Sequence, residues 1–202
     1  MFREMLAKCA EYDFVFFDMG PSLVSINRAV LVASDFFLSP MSIDIFSLRA
    51  IENISVALQK WQKQLKAGLE LNSDPEELPI ENARWHLNFV GYVTQQYKAK
   101  SDGKGNRVAV DAYEKIMKRV PELVKREFVQ KMQPNLARLN YDLGSVPNLH
   151  SLVPMAQESR KPIFELKAKD RVVGAHFAKV RDAKDIFKDI AENLEKNLKS
   201  FR

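Results

Sequence analysis

The stretch that decides the fold reads Tyr12-Asp13-Phe14-Val15-Phe16-Phe17-Asp18-Met19-Gly20-Pro21-Ser22. Four consecutive apolar or aromatic residues lead into an aspartate, and a Gly-Pro pair then turns the chain. A continuous apolar run of this length is typical of a strand buried on both faces of a parallel sheet, so we predict a strand over residues 13–17. Asp18 then stands at the carboxyl end of that strand, where open α/β sheets bind ligands. From this pattern alone, Asp18 is either a ligand-binding acid or a helix-cap or turn residue.

Strand-type and helix-type segments alternate along the rest of the chain. Further strands are predicted over residues 35–40, 87–93 and 143–147. Helical spacing of apolar residues predicts helices over residues 2–10, 23–33, 45–66, 109–119, 122–132, 151–159 and 182–198. The alternation predicts an α/β fold in which a three-layer, mostly parallel sheet has helices on both faces. At 202 residues, the chain is expected to form a single α/β domain over residues 1–202.

Composition favours a cytoplasmic protein. The single cysteine, Cys9, excludes an internal disulfide and fits a reducing compartment. No segment approaches the roughly 18 uninterrupted apolar residues of a membrane span. The N-terminus has no basic region followed by an apolar stretch and a small-residue cleavage site, so we predict a soluble protein that is not exported.

Positive charge is concentrated between Lys98 and Lys131. This stretch holds ten basic and five acidic residues, an excess equal to the whole net charge of +5. Such a segment is either a surface that contacts the phosphates of DNA or a set of solvated, lysine-rich helix faces. The candidate DNA-binding residues are Lys98, Lys100, Lys104, Arg107, Lys115, Lys118 and Arg119.

Other catalytic patterns have little support in the sequence. The three histidines, His86, His150 and His176, are far apart and lack zinc-ligand spacing. No G-x-S-x-G nucleophile elbow occurs. We therefore expect these histidines to be structural or surface residues.

Several motifs together resemble the ParA family of partition ATPases, deviant Walker-type P-loop proteins related to MinD. Residues 12–22 resemble the second nucleotide motif of that family, YDxxxxDxxPS. Further similar segments follow in register at residues 26–31, 33–35, 40–48, 91–93, 146–147, 150–158, 161–164 and 174–176. The resemblance covers nearly the whole chain and implies a P-loop NTPase-like fold.

The chain departs from the family at the Walker A loop. The family begins with a strand, a glycine-rich loop with two lysines, and a helix, and none of these is present. Gly103-Lys104-Gly105 lacks the G-x-x-x-x-G-K-[ST] spacing and follows a later strand. The chain therefore resembles the C-terminal two-thirds of a partition ATPase, truncated at its N-terminus.

The resemblance assigns roles at the phosphate end of a nucleotide site. Asp18 is the expected catalytic residue and is expected to orient a water on Mg²⁺ beside the γ-phosphate, with Gly20 and Pro21 as the switch that senses it. ATP and Mg²⁺ are the cofactors expected in the full-length parent. Because the Walker A loop is missing, we expect this chain alone to bind neither.

The resemblance also implies a base pocket and partners. Gln95, Gln96 and Pro147 are expected to line the base pocket, and Asp44 is expected to face the ribose or a dimer partner. The implied partners are a second copy of the protein, non-specific DNA and a centromere-binding, ParB-type adaptor, with nucleoid association possible in the cytoplasm.

Two functions remain open at this point. The first is an ATPase fragment of a plasmid or chromosome partitioning system, with nucleotide-dependent dimerisation and non-specific DNA binding in the parent. The alternative is a non-catalytic interaction or DNA-binding module that hydrolyses no ATP.

Overall fold

The computed structural model describes residues 2–20, 25–74, 85–97, 99–101, 107–109 and 111–201. Its strands are β1 (Phe36–Ser42), β2 (Asn88–Tyr97), β3 (Ala99–Ser101), β4 (Arg107–Ala109) and β5 (Asp142–Pro147). Its helices are α1 (Phe2–Ala7), α2 (Ser25–Ala33), α3 (Ile45–Glu70), α4 (Asp111–Met117), α5 (Val120–Val124), α6 (Gln130–Met132), α7 (Leu152–Ser159) and α8 (His176–Lys199). A π-helical segment (Lys125–Val129) joins α5 to α6, and 3-10 turns lie at Pro134–Leu136, Ile163–Glu165 and Ala168–Asp170.

The predicted α/β architecture is confirmed by a parallel sheet with the strand order β1-β2-β5. The strand β2 lies in the middle, and its residues Phe89, Val90 and Tyr92 are all buried. Burial of consecutive residues is what a central parallel strand requires, since helices cover the sheet. The pairing is parallel on both sides of β2, so the carboxyl ends of the three strands meet at one edge.

The main core lies where α3, α5 and the π-helical segment pack on β1 and β2. Apolar residues of α3 recur at helical spacing, and Leu48, Ile51 and Leu58 are buried in this core. Phe89 lies at its centre and contacts Phe128 with 4.7 Å between ring centroids.

Close packing between β2, β5 and α8 depends on two glycines. Gly91 has φ +149, and a Cβ atom there would lie 2.7 Å from Cγ of Leu143. Gly144 has φ +141, and a Cβ atom there would lie 2.9 Å from Cγ1 of Ile190 on α8. A side chain at either position would force the neighbouring element away.

A second apolar cluster holds the C-terminal part together. It contains the buried residues Leu149, Leu152, Ala156, Leu166, Val172, Val180 and Ala183. These residues come from the segment just before α7, from α7 itself, from the turns after it and from the first turns of α8. The amine of Lys161 donates to both carboxylate oxygens of Asp170, at 2.7 and 2.8 Å, and fixes the connecting segment.

The predicted strand over residues 13–17 is wrong. Residues 12–20 form no strand, and Phe14 and Phe16 are 55% and 79% exposed. Their rings stack on each other with centroids 6.1 Å apart. A strand forms only where a neighbour completes its hydrogen bonds, and none of the described strands pairs with this segment. Among the described residues, the apolar run therefore has neither of the two neighbouring strands that a strand buried in a sheet requires.

Other element boundaries also differ from the predictions. Helix α8 begins at His176, six residues before the predicted start, because Val180 packs into the second cluster and stabilises the first turns. Helix α3 continues through Gly68 to Glu70. The predicted helix over residues 122–132 is interrupted by the π-helical segment. Two short strands that were not predicted, β3 and β4, form an antiparallel pair.

Within the part of the chain that the structure describes, no helix has both the length and the apolar character needed to cross a membrane.

Candidate functional site

The carboxyl edge of the sheet brings together three of the predicted nucleotide-binding residues. In the strand register, Gln95 of β2 lies between Ser42 of β1 and Val146 of β5. Pro147 ends β5, and Asp44 follows β1 by two residues. These are the positions where open α/β sheets place ligand loops. The side chain of Gln96, the next residue of β2, lies outside what the structure describes.

Asp44 begins the helix α3. Its backbone is extended, with φ −145 and ψ 168, and its Oδ1 accepts a hydrogen bond of 2.7 Å from the backbone N–H of Ser47. This contact satisfies one of the N–H groups that every helix leaves unpaired at its start. The next two residues, Ile45 and Phe46, are 58% and 80% exposed. Asp44 thus has a structural role as a helix cap, and an exposed apolar pair lies beside it.

Asp18 lies in an exposed loop that is anchored by the two residues after it. Met19, which follows it, packs against the main core that α3, β1 and β2 share. The carbonyl oxygen of Gly20 accepts a hydrogen bond of 2.9 Å from the side-chain amide of Asn27 on α2. Pro21 lies outside the described residues. These contacts hold the backbone just after Asp18, and Asp18 itself is exposed.

A pair of hydroxyl groups near the same edge was missed by the sequence analysis. Thr94 on β2 and Ser145 on β5 are register partners, and their side-chain oxygens are hydrogen-bonded. Thr94 is 3% exposed. The two residues are 51 positions apart, and only the strand register brings them together. The only sign of this pair in the sequence is one hydroxyl residue in or next to each predicted strand.

The described residues fit only part of a magnesium–nucleotide site. A single carboxylate such as Asp18 suits Mg²⁺, which keeps several waters and phosphate oxygens as its other ligands. Nowhere among the described residues do three or more His, Cys, Asp or Glu side chains cluster as a metal site would need. The sequence has no G-x-x-x-x-G-K-[ST] loop to surround phosphates with backbone N–H groups. The described residues therefore account for the carboxylate of such a site but not for its phosphate-binding loop.

The candidate DNA-binding residues are only partly described. Lys115 lies on α4, and Lys118 and Arg119 follow this helix, all three exposed to solvent. The amine of Lys118 is 3.9 Å from the carboxylate of Glu114. The backbones of Lys100 on β3 and Arg107 on β4 belong to the antiparallel pair, and Lys98 and Lys104 lie outside the described residues.

Part of the positive charge in this stretch is neutralised by Glu127. This residue is buried in the π-helical segment and accepts hydrogen bonds from Arg126 and Lys131. Burial alone would raise the pKa of Glu127, but the hydrogen bonds from the two cations outweigh it and hold the pKa below its usual value. Arg126 also contacts Glu52 of α3 at 3.2 Å. Arg126 and Lys131 therefore serve to tie the π-helical segment to its surroundings.

The parallel sheet, its surrounding helices and its polar carboxyl edge define an α/β protein, and this architecture is consistent with a P-loop NTPase-like fold. A family model described as an AAA domain matches residues 1–71, which include Asp18 and Asp44. No curated protein matches the chain.

Among solved structures, the chain is similar to protein DIP2308 from Corynebacterium diphtheriae, with a TM-score of 0.55 and 20% sequence identity. The match covers 99% of this chain and 54% of that chain. The present chain thus spans about half the length of its structural neighbour, and a likeness at this identity shows the fold alone.

Proposed function

We propose that this chain is the Asp18-bearing part of a ParA-like ATPase that acts in plasmid or chromosome partitioning. The observation that carries the proposal is the AAA-domain match over residues 1–71, which includes the Tyr12–Ser22 motif. The placement of Asp44, Gln95 and Pro147 at one sheet edge supports it, since a nucleotide would lie there.

In this proposal Asp18 orients a water on Mg²⁺, and Gly20 and Pro21 respond to the γ-phosphate. The exposed position of Asp18 suits such a role, since a solvated carboxylate can bind a hydrated cation without rearrangement of the core. Gln95, Gln96 and Pro147 line the base pocket. The phosphate-binding loop must be supplied from outside this sequence for a nucleotide to be held.

Dimerisation and DNA binding complete the proposed function. Exposed apolar residues such as Ile45 and Phe46, next to Asp44, suit burial against a second copy. Lys115, Lys118 and Arg119 form a short exposed run that suits contact with DNA phosphates. A ParB-type adaptor is the proposed regulatory partner.

The test is to supply the missing region. The purified chain should show no specific ATP turnover with Mg²⁺. Fusing the strand, Walker A loop and helix of a partition ATPase ahead of residue 2 should restore turnover, and Asp18→Ala should abolish it. Glu11→Ala removes an exposed carboxylate from the same segment and is the matched control, so it should leave turnover unchanged. Robust hydrolysis by the chain alone, or an Asp18→Ala fusion with full activity, would refute the proposal.

The second candidate is a non-catalytic interaction module. The exposed, stacked rings of Phe14 and Phe16 favour it, since a strand-type segment without neighbours invites pairing with another polypeptide. This candidate predicts a mass above that of a monomer in gel filtration, or retardation of duplex DNA, without any nucleotide. A monomer that retards no DNA at low salt would exclude it.

A further inference from the structure

A cleft of about 360 Å³ opens at the amino edge of the sheet. Its walls are Tyr92 of β2, the start of β5 with the turn before it, and one face of α5 and the π-helical segment. Asp142, the first residue of β5, marks this edge, whereas Gln95 and Pro147 lie at the opposite, carboxyl edge. The cleft is therefore separate from the candidate nucleotide site, and its volume lies within the range of small-molecule sites.

The floor of the cleft is apolar and closely packed. Four buried side chains line it: Tyr92, Val124, Val129 and Tyr141. All but Tyr92 come from the elements that follow β2 in the chain, and all four belong to the main core. A ligand that rests on this floor would meet surfaces that are already in place and would not have to order them.

The π-helical segment shapes one wall of the cleft. The backbone N–H of Gln130 bonds to the carbonyl oxygen of Lys125, five positions earlier, in place of the usual four. Val124 and Val129 are also five positions apart, and both line the cleft. In a regular α-helix the residues that share a face are three or four apart, so this wall depends on the π-helical geometry. Such departures from the α-helix are frequent at functional sites.

The carboxylate of Asp142 lies at the rim of the cleft and is held in place. Its Oδ1 accepts a hydrogen bond of 3.0 Å from the backbone N–H of Gly144. Burial raises the pKa of Tyr92, and the nearby charge of Asp142 and the hydrogen bond to it raise this pKa further, so the Tyr92 hydroxyl keeps its proton and donates it to Asp142. Within the described part of the chain, no cation lies within ion-pair distance of Asp142. The rim therefore carries an uncompensated negative charge.

Two hydrogen-bond donors without partners lie on the same rim. Among the described residues, the amine of Lys125 has no ion pair and the side-chain nitrogen of Asn140 has no hydrogen bond. The amide of Asn140 is oriented by its Oδ1, which accepts from the backbone N–H of Asp142 at 3.1 Å. The rim thus offers one negative and one positive group above an apolar floor.

We propose that this cleft binds a free α-amino acid with an apolar side chain. The α-ammonium group donates to Asp142, the α-carboxylate accepts from Lys125 and Asn140, and the side chain packs on the apolar floor. The ammonium group is also attracted by the faces of nearby tyrosine rings. A ligand with a single charge would leave either Asp142 or Lys125 without a partner. The inference does not rest on the proposed ATPase, because every group that it uses belongs to this chain and to the edge of the sheet away from Gln95 and Pro147.

The experiment is a calorimetric titration of the chain with L-phenylalanine and L-leucine. Two analogues of L-phenylalanine carry one charge each: phenethylamine lacks the carboxylate, and 3-phenylpropionate lacks the ammonium group. Each analogue should bind at least about 10-fold more weakly than L-phenylalanine, because it loses a hydrogen bond between charged groups.

Two variants separate the two charged contacts. Asp142→Asn keeps an oxygen for the N–H of Gly144 and should weaken binding of L-phenylalanine about 10-fold, but it should not weaken binding of 3-phenylpropionate. Lys125→Met should weaken binding of L-phenylalanine about 3-fold, since the amine is exposed, and should leave phenethylamine unaffected. The matched controls Asp185→Asn and Lys184→Met remove the same charges from exposed positions of α8 and should bind as the parent does.

Four outcomes would overturn the inference. Neither amino acid may bind at about 10 mM, which would leave the cleft without this ligand. Phenethylamine or 3-phenylpropionate may bind as tightly as L-phenylalanine, which would identify a site for an organic cation or an organic acid. The controls on α8 may lose as much affinity as the variants at the rim, which would show that net charge alone matters. Lys125→Met, which changes an exposed side chain, may bind L-phenylalanine as the parent does, which would refute the contact with the α-carboxylate even if Asp142→Asn fails to fold. None of these results affects the test of the proposed ATPase, which is the ATP turnover of the fusion.

Discussion

The side chain of Gln133 takes the place of a strand beside β2. Strand β5 begins at Asp142, which pairs with Tyr92, so Phe89 lies beyond the end of that pairing. Oε1 of Gln133 accepts from the backbone N–H of Phe89 at 2.8 Å, and Nε2 donates to the carbonyl oxygen of Phe89 at 2.8 Å. Nε2 also donates to the hydroxyl of Tyr141 at 2.8 Å. Gln133 is 6% exposed, so water cannot readily replace these bonds.

Gln133→Ala should therefore destabilise the protein strongly. Two buried backbone groups of Phe89 lose their partners, at about 1–3 kcal/mol each, so we expect the free energy of unfolding to fall by about 3–4 kcal/mol. With a urea m-value of about 2 kcal/mol/M, the midpoint of unfolding should move down by about 1.5–2 M. The control is Tyr141→Phe, which removes the hydroxyl that donates to the carbonyl oxygen of Leu136. Both hydrogen bonds between Gln133 and Phe89 remain in this variant. We therefore expect the free energy of unfolding to fall by only about 1 kcal/mol. The reasoning is refuted if Gln133→Ala costs no more than Tyr141→Phe.

Two further predictions concern carboxylates with defined partners. Asp44→Ala should lower the free energy of unfolding by about 1 kcal/mol, because the backbone N–H of Ser47 loses its cap, whereas Asp44→Asn should be nearly neutral. Both values are measured by urea unfolding. Equal losses in the two variants would show that the charge of Asp44 matters and not the cap. The pKa of Asp170 is lowered mainly by the hydrogen bond from Lys161 and also by that from the backbone N–H of Lys167. The ionised carboxylate therefore stabilises the fold above its ordinary pKa of 3.8, and this stabilisation is lost as the pH falls through the lowered pKa. The difference in free energy of unfolding between the parent and Asp170→Asn should stay constant from pH 7 to pH 5 and should disappear below pH 3.8. A difference that is the same at pH 7 and below pH 3.8 would contradict the role of the ionised Asp170.

Most of the helices and three of the strands, β1, β2 and β5, were predictable because their signals are local. Residues of α3 repeat at a spacing that places Leu48, Ile51 and Leu58 on one face, and the same face packs on the sheet. The consecutive apolar residues of β2 predicted a strand buried on both sides, and the structure places this strand at the centre of the sheet. The start of α8 was missed because Val180 is held by residues distant in sequence.

The segment over residues 13–17 failed for the opposite reason. Its apolar run favours a buried, extended backbone, but a strand within a sheet also needs a hydrogen-bonded strand on either side. None of the described strands pairs with it, and Phe16 remains 79% exposed. The candidate site shows the same division, since the family resemblance singled out Gln95 and Pro147, whereas the bond between Thr94 and Ser145 depends on register.

A count of charged residues along the sequence does not show which cations are engaged in ion pairs. The stretches 98–131 and 160–181 have the same excess of +5. In the first, Arg126 and Lys131 donate hydrogen bonds to the buried carboxylate of Glu127, so they stabilise the fold and are already paired. In the second, acids neutralise only two of the seven cations through ion pairs within the described residues. Because phosphate binding depends on cations that are exposed and free of ion pairs, two stretches with equal counts differ in the surface that they offer.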